Sequence, residues 1–347
     1  MSLRTYPLIV HPEFLDYVSG TRSVLALPFF SGPDPAPIGL PEIPSIYALA
    51  GYLQIAPANI AWMIRKKEDH YNTFPIRKRS GKRRFISSPR TFLKVTQWWI
   101  LDTILSKRTP HASVHGFVRG KSFLSNAQVH LGAKHVLNVD IKDFFPSVRR
   151  TSVERVFKEL GYKDKVAQQL TDLCTLYDSL PQGAPTSPTL SNLIFGSLDR
   201  DLQQISDNAG LTYTRYADDL TFSSNNERIH GDLLRQIKEI IERENLSLND
   251  EKTRWLGPND RMEVTGLRLG QNAVGFNRSK LNAARGWFYT IANSPMDYLQ
   301  ELERVRGTLA LLNFVKGPGS KRVIELGRIA KDRLVMAAIQ KSLILNL

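Results

Sequence analysis

The feature that most constrains this chain is a pair of adjacent aspartates between two short segments that favour β-structure. Residues 216–219 read Tyr-Ala-Asp-Asp, and β-prone residues flank them at 211–216 and 220–223. The sequence therefore predicts two strands joined by a turn that carries Asp218 and Asp219. Such a pair is most often an ordinary solvated turn, because Asp is favoured there for its local hydrogen bonding. A chemical role requires a third acidic group nearby.

A third aspartate lies near the end of another predicted strand. Residues 136–141 read Val-Leu-Asn-Val-Asp-Ile, which is typical of a strand, and we expect Asp140 to converge with Asp218 and Asp219. Mg²⁺ prefers carboxylate oxygens, and two such ions about 4 Å apart can hold the attacking and leaving oxygens of a phosphoryl transfer in line. The three aspartates therefore suit two-metal phosphoryl transfer.

Positive charge is concentrated on two sides of a nearly neutral centre. The 347 residues carry a net charge of +14; residues 65–90 and 261–347 each contribute +8, which leaves −2 for the rest. Lys and Arg neutralise phosphates and release counterions, so two basic flanks suit a nucleic-acid channel. Either run alone is equally compatible with solvated helix faces. Together they favour a nucleic-acid partner.

The cysteine content and the absence of an obvious targeting segment indicate the compartment. Cys174 is the only cysteine, so a disulfide within the chain and a Cys-based zinc site are excluded, and a reducing compartment fits. Its helical spacing from Val166 and Leu170 predicts a core position. The apolar run at 24–30 is broken by Pro28 and too short to span a bilayer. We expect a soluble, cytoplasmic protein with no membrane partner.

Helix and strand signals fill most of the remaining chain. The first 45 residues contain eight prolines, which predicts an extended arm. Thr151 and Glu154 match a capping box at the start of a helix. Ser187-Pro188 matches the start of another, whose apolar stripe continues to Ile205. A strand signal at 264–269 completes the centre of the chain, and a mostly helical, basic remainder follows from about Arg278.

Several segments, taken in order, resemble the successive motifs of reverse transcriptases. They are Arg-Phe-Ile-Ser-Ser-Pro at 84–89, Val-Asp-Ile-Lys-Asp-Phe-Phe at 139–145, Leu-Pro-Gln-Gly-Ala-Pro-Thr-Ser-Pro at 180–188, the Tyr-Ala-Asp-Asp turn and Lys252. The resemblance covers about residues 48 to 270. It implies an α+β right-hand polymerase with fingers, an RRM-like antiparallel-sheet palm and a helical thumb. The expected domains are a Pro-rich arm (1–45), fingers (46–135), palm (136–270) and thumb (271–347).

Two further elements are similar to signatures of bacterial retron reverse transcriptases. They are Asn-Ala-Gln-Val-His at 126–130 and Val-Thr-Gly at 264–266. This resemblance implies a structured noncoding RNA (msr-msd) as partner, with a branching guanosine whose 2′-hydroxyl primes DNA synthesis. The product is then a branched RNA-DNA hybrid (msDNA), and the family role is antiphage defence with an associated effector protein.

The resemblance also implies roles for residues of the catalytic centre. Asp140 and Asp218 are expected to bind two Mg²⁺ ions, with the Ile141 carbonyl as a further ligand and Asp219 completing the cluster. Three crowded carboxylates repel one another, and a bound cation relieves that repulsion. Lys252 either assists the departing pyrophosphate or is an ordinary surface lysine.

Other residues are implied in substrate contacts. Lys82 and Arg84 match the segment that clamps the deoxynucleoside triphosphate, where the paired N–H donors of Arg suit phosphate oxygens. Phe145 matches an aromatic barrier against ribose, although an ordinary core position for it, or a confusion with Phe144, stays open. Gln182 and Gly183 are expected to border the nucleotide and the template.

RNA contacts are expected from five residues. Asn126 and His130 either contact RNA or support a structural element. The basic C-terminal helices are expected to bind an RNA stem-loop by its shape and phosphates, with these candidates: Arg322, Arg328 and Arg333.

Two alternatives to a retron enzyme stay open at the level of sequence. One is another bacterial reverse transcriptase, such as a group II intron type. The other is an RNA-binding scaffold that uses a polymerase fold to hold nucleic acid or restrain an effector, because fold alone does not establish catalysis.

Overall fold

The structure is a computed structural model that describes residues 39–77, 81 and 83–345. Most of the expected N-terminal arm, and Lys82, lie outside the described residues. The chain divides into two compact units of three stretches each. The first unit runs to Val118 and resumes at Ile141–Asp201 and Glu239–Ser247; the second comprises Arg119–Asp140, Leu202–Lys238 and the chain from Leu248 onward.

Helices and short strands alternate along the described part of the chain. The helices are α1 (Ile46–Leu53), α2 (Pro57–Arg65), α3 (Thr91–Thr103), α4 (Phe123–Val129), α5 (Phe144–Ser147), α6 (Arg150–Glu159), α7 (Asp164–Cys174), α8 (Ser187–Ile194), α9 (Gly196–Asn208), α10 (Gly231–Arg243), α11 (Arg278–Asn293), α12 (Leu302–Val315) and α13 (Ser320–Leu345). The strands are β1 (Tyr71–Arg77), β2 (Arg83–Pro89), β3 (His135–Asp140), β4 (Thr212–Tyr216), β5 (Asp219–Ser224), β6 (Arg254–Leu256), β7 (Glu263–Val264), β8 (Leu267–Leu269) and β9 (Val274–Gly275).

The first unit consists of helices and an antiparallel ribbon of β1 and β2, most of which is exposed. Helix α6 shows why these helices form, because Val153, Val156 and Phe157 recur at helical spacing and are buried. The predicted capping box at its start is wrong. The helix begins at Arg150 without a side-chain cap, and the Glu154 carboxylate instead accepts a hydrogen bond from the Arg150 guanidinium at 3.1 Å.

The helix predicted from Ser187 also differs from the structure. It is interrupted after Ile194, and α9 begins at Gly196. Ser187 is not the N-cap: it lies inside α8, and its hydroxyl donates to the Pro181 carbonyl oxygen at 2.8 Å. The hydroxyl thereby ties the preceding loop to the helix, a use that local sequence does not distinguish from capping.

The second unit is built around a four-stranded antiparallel sheet in the order β4-β5-β3-β6. Successive side chains alternate between its faces. Leu137, Val139, Leu220 and Phe222 share one face and are almost completely buried. The opposite face carries these residues: Asn138, Asp140, Asp219 and Thr221. We call this opposite side the polar face.

A smaller sheet of β7, β8 and β9 follows in the same unit. The sequence predicts one strand over 264–269, but the structure has a hairpin there. Thr265 and Gly266 form its turn with φ of +46° and +78°. Left-handed backbone is uncommon for a β-branched residue, and the Thr265 hydroxyl stabilises the turn by donating to the Phe123 carbonyl oxygen at 2.8 Å.

Helices α11, α12 and α13 enclose a separate apolar core in the second unit, centred on Phe288, Val305 and Leu334. The chain between α12 and α13 passes very close to β9: a Cβ on Gly317 would lie 2.4 Å from the Gly275 Cα atom. Glycine at 317 therefore permits this approach. Among the described residues, no helix is both long and apolar enough to cross a membrane.

Candidate active site

The register of the main sheet determines where two of the three aspartates lie. Asp140, at the end of β3, is the cross-strand partner of Asp219 at the start of β5. The strands β4 and β5 form the predicted hairpin, in which Tyr216 pairs with Asp219. Ala217 has a φ of +57°, and Asp218 follows it in the turn. The period-two pattern therefore places the carboxylates at one end of the polar face.

Lys252 lies at this cluster of acids. Its ammonium group donates to Asp140 Oδ2 at 2.7 Å. Burial alone would lower the pKa of Lys252, but the hydrogen bond to Asp140 and the negative charges of Asp140, Asp218 and Asp219 outweigh it and raise the pKa. The lysine therefore stays charged and neutralises part of the cluster.

Crowding of negative charge also changes the pKa of Asp219. Burial of the carboxyl group, followed by the charges of Asp218 and Asp140, raises the pKa of Asp219 to about 7, although the residue as a whole is exposed to solvent. Such a site favours a cation by the chemistry of its donors. Within the described residues, however, no three acidic, His or Cys side chains are arranged closely enough to form a ready-made metal site.

Ile141, the residue after Asp140, is expected to add a metal ligand. Its aliphatic side chain has no ligand atom, so the backbone carbonyl is the group that it could offer; the residue as a whole is 1% exposed.

The residues implied in nucleotide handling belong to the first unit. The loop of Gln182 and Gly183 lies against β2, where the Ser87 N–H donates to the Gln182 carbonyl oxygen at 2.7 Å. Gly183 has a φ of +125°, and a Cβ there would lie 2.8 Å from the Ser87 carbonyl oxygen. Glycine is therefore required for this contact. Arg84 is exposed on the same strand.

Phe144 and Phe145 have different environments. Phe144 is 4% exposed, and its ring centroid lies 4.9 Å from that of Phe195. Phe145 is half-buried and lies 6.1 Å from Phe117, which is itself exposed. Phe144 is therefore the core residue of the pair, and Phe145 is the one with accessible surface.

Asn126 and His130 lie inside the second unit. Both are 1% exposed, so neither side chain presents a surface to RNA in this structure. The His130 ring bonds the hydroxyls of Ser223 and Thr214, each at 2.7 Å. The imidazole thereby anchors α4 to β4 and β5, which matches the structural alternative for this motif. The side-chain amide of Asn126 has no hydrogen-bond partner among the described residues.

The three arginines predicted to bind RNA all lie on α13 and are exposed. Arg322 and Arg328 have no ion pair among the described residues. Arg333 differs, because its guanidinium donates to the Ala292 carbonyl oxygen at 2.6 Å and so links α13 to α11.

Sequence reasoning missed the polar residues that support the site. Asn138 accepts a hydrogen bond from Thr221 at 3.0 Å and donates to the Glu263 carbonyl oxygen at 3.1 Å. It thereby fastens the β7–β8 hairpin to the polar face. The signal was present in the sequence: Asn138 lies two residues before Asp140, so both share a face of the strand.

Comparisons with known proteins identify the family. The family model described as reverse transcriptase (RNA-dependent DNA polymerase) matches residues 76–269. The retron Ec86 reverse transcriptase of Escherichia coli is 35% identical over 289 residues, which cover 83% of this chain and 89% of that protein. The retron Mx162 reverse transcriptase of Myxococcus xanthus is 35% identical over 269 residues, covering 68% of this chain and 55% of the relative.

A third relative, the retron Mx65 reverse transcriptase of Myxococcus xanthus, is 35% identical over 292 residues, covering 78% of this chain and 66% of the relative. Among solved structures, an apo telomerase from Candida tropicalis has a TM-score of 0.41 and 13% identity, covering 63% of this chain and 59% of that one. That likeness is too distant to bear on function. The family match and the identities to the retron enzymes show that this chain, with its α+β polymerase fold, belongs to the bacterial retron reverse transcriptases and is an RNA-directed DNA polymerase.

Proposed function

We propose that the enzyme synthesises DNA on a structured noncoding RNA (msr-msd) by two-metal nucleotidyl transfer. Synthesis starts from the 2′-hydroxyl of a guanosine in that RNA, and the product is a branched RNA-DNA hybrid (msDNA). The cellular role of the enzyme is antiphage defence together with an effector protein. The polymerase activity is that of the family; the priming, the two ions and the defence role are the proposal.

The observation that carries the proposal is the pairing of Asp140 with Asp219 across β3 and β5, with Asp218 in the adjoining turn. A solvated turn would not need a third acid at its side or an ammonium group on that acid at 2.7 Å. Two Mg²⁺ ions held by Asp140, Asp218 and Asp219 would activate the primer hydroxyl and stabilise the pyrophosphate leaving group.

The protein's own residues have separate tasks. The aspartates supply carboxylate oxygens, and their mutual repulsion, which Lys252 relieves only in part, favours the binding of cations. Lys252, charged at neutral pH, is positioned to neutralise phosphate oxygens or to donate a proton to the leaving group. The nucleophile is a hydroxyl of the primer, so no protein side chain forms a covalent intermediate.

In the first unit, Arg84 and the loop of Gln182 and Gly183 are proposed to bind the incoming deoxynucleotide. The Gly183 backbone lies against Ser87, which fixes the loop relative to the strand that carries Arg84. Arg suits a triphosphate because its planar fork pairs with two phosphate oxygens. Phe145 would reject ribonucleotides by occupying the space of the ribose 2′-hydroxyl.

A nucleotide-incorporation assay tests this function. Purified enzyme, the RNA from its own locus, Mg²⁺ and labelled deoxynucleotides should yield DNA joined covalently to RNA. Asp218→Asn with Asp219→Asn should abolish incorporation, because amides neither carry the charge nor bind Mg²⁺ as carboxylates do. RNA binding by this variant, measured by filter retention, should persist.

The same assay distinguishes the alternatives. A scaffold that only holds RNA would bind it and incorporate nothing in the wild-type form. An enzyme of group II intron type would extend an annealed primer but would show no dependence on a guanosine 2′-hydroxyl, which a 2′-deoxyguanosine at the priming position would reveal.

A further inference from the structure

A cavity of about 280 Å³ opens on the polar face beside the catalytic aspartates. Its volume lies just below the ~300–1,000 Å³ common for small-ligand sites. Asn138 and Thr221 belong to its floor, next to Asp140 and Asp219. Phe123 of α4 and the β7–β8 hairpin form the other side. The cavity therefore adjoins the position where the primer hydroxyl must react.

The far side of this cavity is built by hydrogen bonds between distant parts of the chain. His130 fastens α4 to the sheet through Ser223 and Thr214. Thr265 fastens the hairpin turn to α4 through the Phe123 carbonyl oxygen. The segments 126–130 and 264–266 therefore both contain residues that position this side of the cavity. The backbone of Thr265 is left-handed there, a conformation that costs free energy.

Glu263 has an unusual place in this arrangement. Val264 is 1% exposed and belongs to the core, so alternation along β7 turns Glu263 to the other side, where it lines the cavity. Glu263 is half-buried. Within the described residues its carboxylate has no ion pair or hydrogen bond, even though Arg268 is its cross-strand partner. Lys252 and Arg254 also line the cavity, but neither pairs with Glu263, which therefore remains an acceptor without a donor from the described part of the protein.

The chemistry of a free carboxylate limits what can bind against it. It repels phosphate groups, so the part of a nucleotide that meets Glu263 must carry N–H or O–H donors. Among the bases, guanine alone presents two adjacent donors, N1–H and N2–H, on its pairing edge. A carboxylate accepts both in a bidentate pair, whereas adenine, cytosine and uracil each place an acceptor beside their donor.

We infer that this cavity receives the initiating nucleotide and that Glu263 selects guanine there by accepting from N1–H and N2–H. The inference rests on the proposed initiation from an RNA hydroxyl and names the residue that chooses the base. Tyr216 and Phe123 supply aromatic surface for the base. Arg254, exposed at the cavity, supplies a cation for the adjoining phosphate.

The test varies the base and the carboxylate together. Cognate RNAs carry guanine, hypoxanthine or 2-aminopurine at the initiating position, and the rate of first-nucleotide attachment is measured for each. Hypoxanthine lacks the 2-amino group and 2-aminopurine lacks N1–H. The wild-type enzyme should favour guanine over either by about ten-fold or more, the usual effect of losing one charged hydrogen bond. In Glu263→Gln this ratio should fall close to one.

The matched control is Glu244→Gln, an exposed acid outside the cavity, which should keep the wild-type ratio. Equal wild-type rates with guanine and hypoxanthine would overturn the inference, and that comparison holds even if Glu263→Gln fails to fold. An unchanged ratio in a folded Glu263→Gln enzyme would overturn it too. A wild-type enzyme that neither initiates nor extends an annealed primer would instead refute the proposed function.

Discussion

At the scale of single residues, the environments of two neighbouring phenylalanines separate a core residue from a candidate substrate contact. Phe144 packs against Phe195 in the interior, whereas Phe145 keeps accessible surface. The sequence could not separate them, because both follow Asp140 in one short aromatic run. Burial separates them, since a residue that excludes a ribose hydroxyl must be reachable by the nucleotide.

Phe145→Ala should therefore weaken discrimination against ribonucleotides. Removing the ring leaves room for a 2′-hydroxyl, and a steric contact of this kind is worth about ten-fold or more in selectivity. Competing incorporation of a deoxynucleotide and its ribonucleotide measures the ratio. Phe145→Tyr, which keeps the ring, should retain wild-type selectivity; an unchanged ratio in Phe145→Ala would remove this role.

Cys174 gives a prediction about reactivity. The thiol is completely buried, and burial raises its pKa to about 12. The thiolate is the reactive form, so iodoacetamide at about pH 8, near the pKa of a free thiol, should leave the native enzyme unmodified and label it after denaturation in urea. Mass spectrometry of the intact protein reads this out. Rapid labelling of the native form would contradict the buried position.

At the scale of elements, the loop between α12 and α13 passes so close to β9 that no side chain fits at Gly317. Gly317→Ala should lower the melting temperature by several degrees, because the new methyl group would overlap Gly275 and overpacking costs about 1–3 kcal/mol. Gly286→Ala is the control. Gly286 lies in α11 with open space around its Cβ position, so alanine there should be neutral or stabilising. Equal melting temperatures for the two variants would refute the close approach.

Much of the element pattern could be predicted from the sequence, because strand alternation and helix periodicity are local. The Asp-Asp hairpin and the strand of Asp140 are examples. The hairpin at Thr265 could not be predicted, since its turn depends on a hydrogen bond to Phe123, 142 residues away in the chain. Glu154 and Ser187 bond partners four and six residues away in place of the predicted caps, because a polar side chain near a helix start has several local partners and the sequence does not show which one it takes.

At the scale of the whole molecule, the basic C-terminal helices are predicted to bind RNA. Reversing Arg322 and Arg328 to Glu should weaken binding of the cognate RNA. It should also reduce the slope of log affinity against log salt by about 1 for each lost phosphate contact. Arg333 is left unchanged because its bond to Ala292 supports the fold. Binding measured between about 50 mM and 200 mM salt, the range over which phosphate contacts change affinity steeply, provides the test.

The control for this experiment reverses two exposed arginines outside these helices, Arg155 and Arg235, each of which has an acidic partner on its own helix. That variant has the same net charge. Because α13 keeps its arginines in this control, the RNA affinity of the control should exceed that of the Arg322 and Arg328 variant. RNA binding by the Arg322 and Arg328 variant that stayed as tight and as salt-sensitive as in the wild type would remove α13 from this role.

The interleaving of the two compact units has a consequence for how the chain is made. The first unit is complete only when Glu239–Ser247 has been synthesised, and the second still lacks everything from Leu248 onward at that moment. Strand β3, which ends at Asp140, must wait for β5 and then β6 to emerge from the ribosome. Folding on the ribosome therefore cannot finish either unit before Ser247 has been synthesised. Cutting the gene between Asp140 and Ile141, or at a later crossing, separates β3 from at least one of its partner strands, and the fragments, with unpaired strand edges, should aggregate.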